Sequence, residues 1–284
     1  MKKFVSTLIC IGIITQFTVF PIRADDIVVD VLTDSIDNNI GDGICSDDEG
    51  NCSLRAAIME INASGVSDTI YLPSGSGTGT AIYELTLTGT GEDMAVSGDL
   101  DITRNLTMVG QGLRAEDVVI DFNGIDQGFH VMGSSGVISV DFTNLSIINS
   151  SGDTNVKGGA FDLNNTTFTG NNIVLTGNTT TGSGSASFGG YDAQVQLINS
   201  LVYEQTGGQG SLAKIHKGAF YSNTSTIYDL SSDLLSGTGS GLVNIEDCVS
   251  YQGAGSIIDC QVRFDRTTIS SITSDTFLGG ISGV

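Results

Sequence analysis

From Val140 onward the chain repeats one short phrase: apolar, any, apolar, any, then asparagine or a near equivalent. The copies are Val140-Asp-Phe-Thr-Asn144, Phe161-Asp-Leu-Asn-Asn165, Val195-Gln-Leu-Ile-Asn199, Ala219-Phe-Tyr-Ser-Asn223, Val243-Asn-Ile-Glu-Asp247 and Val262-Arg-Phe-Asp-Arg266. Their offsets are 21, 34, 24, 24 and 19 residues. All but the 34 suit one turn of a parallel β-solenoid, in which each coil lays short strands on those of the coil below. Positions one and three of the phrase share a strand face and point inward, where they stack on their equivalents in neighbouring coils. Position five holds Asn144, Asn165, Asn199, Asn223 and Asp247. Asn tolerates the left-handed backbone of a tight bend, and its amide satisfies backbone groups there. These five residues are therefore expected to form one structural ladder up the stack. The 34-residue offset is expected to come from a Gly/Ser/Thr-rich loop inserted between Thr176 and Tyr191. Residues 207–210 and 231–241 read as further loops, the places where solenoids often carry binding surfaces.

The first residues bear on compartment. Lys2 and Lys3 precede an apolar stretch from Phe4 to about Phe20, and Ile22-Arg23-Ala24 leads into Asp25-Asp26. That order is the pattern of a secretory signal peptide over 1–24, cut after Ala24. Cys10 would leave with it. Loss of Lys2, Lys3 and Arg23 reduces the 11 basic residues to 8 against 32 acidic ones, so the net charge moves from −21 to −24. Such a surface excludes ordinary phosphate-backbone binding and docking on anionic lipid, so neither nucleic acid nor membrane insertion is expected. Zero Trp, two Pro and 38 Gly fit a turn-rich all-β protein.

Four cysteines remain, an even number suited to an oxidising compartment. Cys45 and Cys52 flank a six-residue acidic loop and are expected to form a local disulfide. Cys248 and Cys260, twelve apart, either staple a turn or stay as two buried thiols. Asp34, Asp37, Asp42, Asp47, Asp48 and Glu49 crowd one loop, from Thr33 to Asn51, beside this pair. Calcium takes six to eight oxygen ligands, so the five aspartates are candidate calcium ligands, with a solvated acidic loop as the alternative.

Cys52-Ser-Leu-Arg-Ala-Ala-Ile-Met-Glu-Ile-Asn62 is the convincing helix, with Ser53 as N-cap and Leu54, Ile58 and Ile61 on one face. It is expected to cover the open end of the first coil. Cys52-Ser-Leu-Arg-Ala-Ala-Ile, preceded by Gly41-Asp-Gly43, resembles the motif of the CSLREA-domain proteins, which are secreted or surface proteins, mostly bacterial. The likeness continues through Asp68-Thr-Ile-Tyr-Leu72, Gly91-Glu-Asp93, Gly98-Asp-Leu-Asp-Ile102, Leu106-Thr-Met-Val-Gly110 and Val119-Ile-Asp121, covering about residues 27–150. Ala56 stands where the motif has glutamate, which leaves the role of Arg55 open. The resemblance implies a right-handed parallel β-helix on the cell exterior and no particular reaction. Lys157-Gly-Gly-Ala-Phe161, Lys217-Gly-Ala-Phe220 and Phe168-Thr-Gly-Asn171 are similar to the repeats of chlamydial polymorphic membrane proteins, which are β-helical surface adhesins.

The expected organisation is a signal peptide over 1–24, a cap with acidic loop and helix over 25–98, and over 99–284 a right-handed, single-stranded parallel β-helix. About eight coils are expected. Catalytic candidates are few: His130, His216, Lys157, Lys214, Lys217, Arg263 and Arg266, with His216 between two lysines the most interesting. Asp99 and Asp101 share one strand face. No nucleophile–base pair, phosphate loop or polygalacturonase-type motif is present. The expectation is thus a non-catalytic secreted or surface protein that binds glycan, matrix or another extracellular protein through its stacked sheet and loops. A polysaccharide lyase or glycoside hydrolase is one alternative. A structural subunit that pairs end to end is another.

Overall fold

The computed structural model describes residues 26–64, 68–77, 79–153, 158–208, 211–232, 242–246, 261–274 and 281–283. The expected signal peptide, Asp247, Cys248 and Cys260 lie outside them, as do Lys157 and most of the 231–241 loop. Twenty strands join in one hydrogen-bonded sheet, and every ladder in it is parallel. Parallel pairing needs a connection that returns the chain to the same end, so local hairpins cannot build it.

Two short strands, Ser151–Gly152 and Thr179–Thr180, pair with each other, and the latter with the end of Leu201–Gly207, past a left-handed bend at Glu204. The pairings sort the other strands into three files. The first contains Ile27–Val28, Asp68–Leu72, Leu106–Gly110, the start of Ile138–Ile148, the middle of Phe161–Thr176, the end of Phe188–Ile198, Ala219–Asn223 and Gln261–Asp265. The second contains Ala81–Glu84, Val118–Asp121, the end of Ile138–Ile148, the end of Phe161–Thr176, Leu201–Gly207, Thr226–Ser232 and Thr268–Ser274. The third contains Leu100–Ile102, Phe129–Met132, the starts of Phe161–Thr176 and Phe188–Ile198, Ala213–His216, Val243–Glu246 and Ile281–Gly283. The chain visits the files in that order and begins again. Asp68–Leu72 and Ala81–Glu84 already pair in register with the next pass, so the files begin upstream of the expected boundary at 98/99.

Alternation decides which side chains fill the middle. In the first file Val140, Phe168, Val195 and Phe220 lie opposite one another and are fully buried. In the third, Phe129, Phe161 and Phe188 stack ring on ring, with centroids 5.3 and 5.2 Å apart and planes 15° and 8° from parallel. Large and small residues alternate along a file: Phe142 faces Gly170, where a Cβ would come within 2.5 Å of Ile173 Cδ1.

Left-handed corners separate the files. Asn144, Asn172, Asn199, Thr224 and Arg266, with φ of 59°, 54°, 50°, 55° and 49°, end the first-file strands. They occupy one register position, because Thr143 pairs with Asn171 and Leu145 with Ile173, and the flanking pairs continue this upward. The single ladder expected from Asn144, Asn165, Asn199, Asn223 and Asp247 is therefore incorrect. Asn144 and Asn199 belong to it. Asn165 (φ 51°) sits at the corner between third and first files, beside Asp192 and Lys217. Asn223 is one residue short of the corner, opposite Asp265. The phrase misleads because first-file and third-file strands both carry it. One pass, Asn144 to Asn172, takes 28 residues. The 34-residue offset joined two different files, so it needs no inserted loop, and Thr179–Thr180 and Phe188–Tyr191 inside that stretch are paired strand.

Candidate functional site

The helix forms as its sequence demands. It spans Leu54–Ser64, and Ser53 Oγ accepts the Ala56 N–H at 3.0 Å, capping the first turn. Leu54, Ile58 and Ile61 are buried against the strands Asp68–Leu72 and Leu100–Ile102. Glu60 on the helix accepts the Gly41 and Gly43 N–H groups at 2.6 and 2.7 Å, both glycines being left-handed. That contact ties the acidic loop to the helix and explains why Gly41-Asp-Gly43 accompanies the helical motif.

Arg55 is buried and fully committed. Nε and Nη2 meet Asp34 at 2.7 and 3.2 Å, Nη1 donates to the Ala95 and Asp99 carbonyls, and Nη2 also donates to the Gly98 carbonyl. Asp34 Oδ2 further accepts the Thr86 and Leu87 N–H groups. Asp34 thus supplies the carboxylate that Arg55 needs.

Asp37, Asp42 and Asp47 accept backbone N–H groups that shape the turns of the loop. Asp37 accepts the Asn39 and Ser46 N–H groups. Asp42 accepts the Ile44 N–H and the Asn39 amide. Asp47 accepts the Glu49 and Asn51 N–H groups and the Ser35 hydroxyl. Asp48 is exposed. Among the described residues no three of Asp34, Asp37, Asp42, Asp47 and Asp48 bring their carboxylate oxygens within 4.8 Å of one another. The Asn51 N–H, foremost, holds the Asp47 carboxyl below the usual carboxylate range. Cys45 and Cys52 are joined in a disulfide across this loop.

Two outward faces carry side chains suited to binding. On the first file Thr167 lies opposite Gln194, and Thr169 opposite Gln196 and then Tyr221. With the backbone of Phe168 and Val195 as floor, Thr167, Gln194, Gln196 and Tyr221 line an open hollow of about 270 Å³. Its rim offers amides, a hydroxyl and a phenol, and no charge.

The third file is different. The residue between its two inward side chains is Asp101, His130, Asp162, Gly189, Lys214 and Asn244 in successive passes, all in register. His130 Nδ1 lies 3.2 Å from Asp101 Oδ1 and 3.8 Å from Asp93 Oδ1. Asp101 Oδ2 accepts the Ala95 N–H, and Asp99 Oδ2 accepts the Gln127 amide at 2.5 Å. Burial, then the Asp101 charge, pushes the Asp99 carboxyl up to about 7. Burial also raises Asp101 and Asp126. Burial opposes charge on His130, yet the Asp101 hydrogen bond and the charges of Asp162, Asp101 and Asp99 outweigh it and raise its pKa. Two residues further along, the Tyr191 and His216 rings stack 4.6 Å apart. The signal for this row was in the sequence, as the middle letter of Leu100-Asp-Ile102, Phe129-His-Val131, Phe161-Asp-Leu163, Ala213-Lys-Ile215 and Val243-Asn-Ile245. Sequence alone gave no register in which to align them. Of the other cationic candidates, Lys217 takes a left-handed corner, as does Arg266, and Arg263 lies 3.6 Å from Asp265.

Compared with models of protein families, with curated proteins and with solved structures, the chain finds no match.

Proposed function

We propose that the protein is an exported right-handed parallel β-helix, capped by its N-terminal helix, that binds a neutral glycan on the outward face of its first file without cleaving it. The cyclic order of three parallel files supports a coiled chain, and parallel crossovers are right-handed in about 98% of cases. The resemblance of residues 27–150 to CSLREA-domain proteins supports export to the cell surface or beyond, as does the N-terminal signal pattern. The observation that carries the binding function is the hollow lined by Thr167, Gln194, Gln196 and Tyr221. Sugar rings present hydroxyls that pair with amides and apolar faces that stack on aromatic rings. The neutral rim stands on a chain of net charge −21, which repels uronic-acid polymers.

A glycan array followed by calorimetry tests it. A neutral oligosaccharide is expected to bind, and Tyr221→Ala or Gln194→Ala is expected to weaken it about tenfold, the loss of one good contact. No bound glycan, or an affinity indifferent to both substitutions, defeats the proposal.

A second function, polysaccharide cleavage, is favoured by one grouping. Asp99, near 7, and the Asp101–His130 pair put a protonatable carboxyl beside a histidine, as acid–base chemistry requires. Release of reducing ends or of unsaturated product from polysaccharides, abolished by Asp99→Asn, would establish it in place of simple binding.

A further inference from the structure

We propose that Asp93, Asp101 and His130 form a binding site for one divalent metal ion that accepts nitrogen as well as oxygen ligands, zinc being the best fit. Their ligand atoms all lie within 4.8 Å of one another. Two ligands each ~2.1 Å from a tetrahedral centre stand ~3.4 Å apart. The distances from His130 Nδ1 to the two carboxylate oxygens, 3.2 and 3.8 Å, bracket that value. One imidazole and two carboxylates suit zinc or a first-row transition ion, whereas calcium selects oxygen alone. The site is thus distinct in place and in chemistry from the acidic loop.

Three further observations point to a cation here. Gln127 is buried to about nine-tenths, and its amide nitrogen is held by Asp99 Oδ2. Its Oε1 is buried without a hydrogen-bond partner, on a side chain held by the carboxylate whose charge interacts with Asp101 and His130. Such an atom is costly unless a water or cation completes it. Acidic groups also surround His130 among the described residues. His130 faces Asp93, Asp99, Asp101 and Asp162, while Asp126 and Glu92 add to the field at Asp99 and Asp101. The nearby Arg55 does not offset this, because its donors go to Asp34 and to the carbonyls of residues 95, 98 and 99. Finally, the ligands are pre-oriented and reachable. Strand pairing places Asp101 opposite His130, the Ala95 N–H fixes the second Asp101 oxygen, and the Asp93 side chain, 71% exposed, forms the open side.

The test is zinc titration of the full chain after chelation, followed by calorimetry and thermal melting, with calcium titrated in parallel. One zinc per chain is expected, with a raised melting temperature and binding tighter than calcium. His130→Gln and Asp93→Asn should each weaken zinc at least tenfold, while Asp42→Asn in the acidic loop should leave it unchanged. Asp93→Asn alters an exposed side chain, so it tests the site even if Asp101→Asn unfolds. No stoichiometric zinc, calcium binding tighter than zinc, or zinc binding indifferent to both His130→Gln and Asp93→Asn would overturn the proposal.

Discussion

Asp34 and Arg55, 21 residues apart, meet at 2.7 Å with both side chains almost wholly withdrawn from solvent. The pair joins the acidic loop to the helix, and through the carbonyls of Ala95, Gly98 and Asp99 it also grips the turn leading into the third file. A buried pair contributes little net stability when made, because both ions lose water. Removing one partner leaves the other charge stranded.

Arg55→Ala and Asp34→Ala should therefore each destabilise the fold by about 3–5 kcal/mol. The double replacement Asp34→Leu/Arg55→Met should cost less than the two single changes together. Denaturant unfolding of the three variants checks this. Full additivity would show that the pair is not coupled.

The corner residues give a sharper contrast. Asn144 has φ 59°, donates to the Gly110 and Gly112 carbonyls, and accepts from Asn172 Nδ2 at 2.7 Å. Asn144→Gly keeps the left-handed backbone and loses only these hydrogen bonds, about 1 kcal/mol net for each. Asn144→Ala adds the cost of a left-handed alanine, a further ~1–2 kcal/mol. Melting curves should rank wild type above glycine and glycine above alanine. Alanine at or above glycine would contradict the corner geometry.

Acid should weaken the loop through Asp47. Its carboxyl titrates below the usual range because backbone N–H groups, that of Asn51 foremost, favour the ionised form. As pH falls, the unfolded chain takes up this proton first. The stability that Asp47 contributes is thus complete above about pH 4 and disappears as pH drops through the folded value. Asp47→Asn should flatten the acid limb of the stability–pH curve below about pH 4. An unchanged acid limb would remove Asp47 from the account.

Much of the architecture was legible because alternation and corner residues are local. Val140, Phe142, Val195 and Leu197 announce inward faces, and Asn144 and Asn199 announce a bend. What local pattern lacks is register. Phe161-Asp-Leu-Asn-Asn165 reads like Val140-Asp-Phe-Thr-Asn144, yet the former starts on the third file and the latter on the first. Asn172, the true partner of Asn144, follows Thr169-Gly-Asn171, where small Gly170 interrupts the apolar pattern because Phe142 fills the space opposite. The same ignorance of register kept Asp101 and His130 apart, as 29 residues separate them in the chain. In the acidic loop, counting carboxylates could not show that Arg55 meets Asp34 or that backbone N–H groups meet Asp37, Asp42 and Asp47.

The most direct test is a disulfide trap of the register. Neighbouring parallel strands lie ~4.8 Å apart, within the span a disulfide bridges. Thr169→Cys/Gln196→Cys, an outward pair in direct register, should oxidise to a single cross-linked peptide found by mass spectrometry. Asn165→Cys/Asn199→Cys, whose residues occupy different corners, should not. Cross-linking of the second pair but not the first would contradict the three-file arrangement on which the proposed binding face and the proposed metal site both depend.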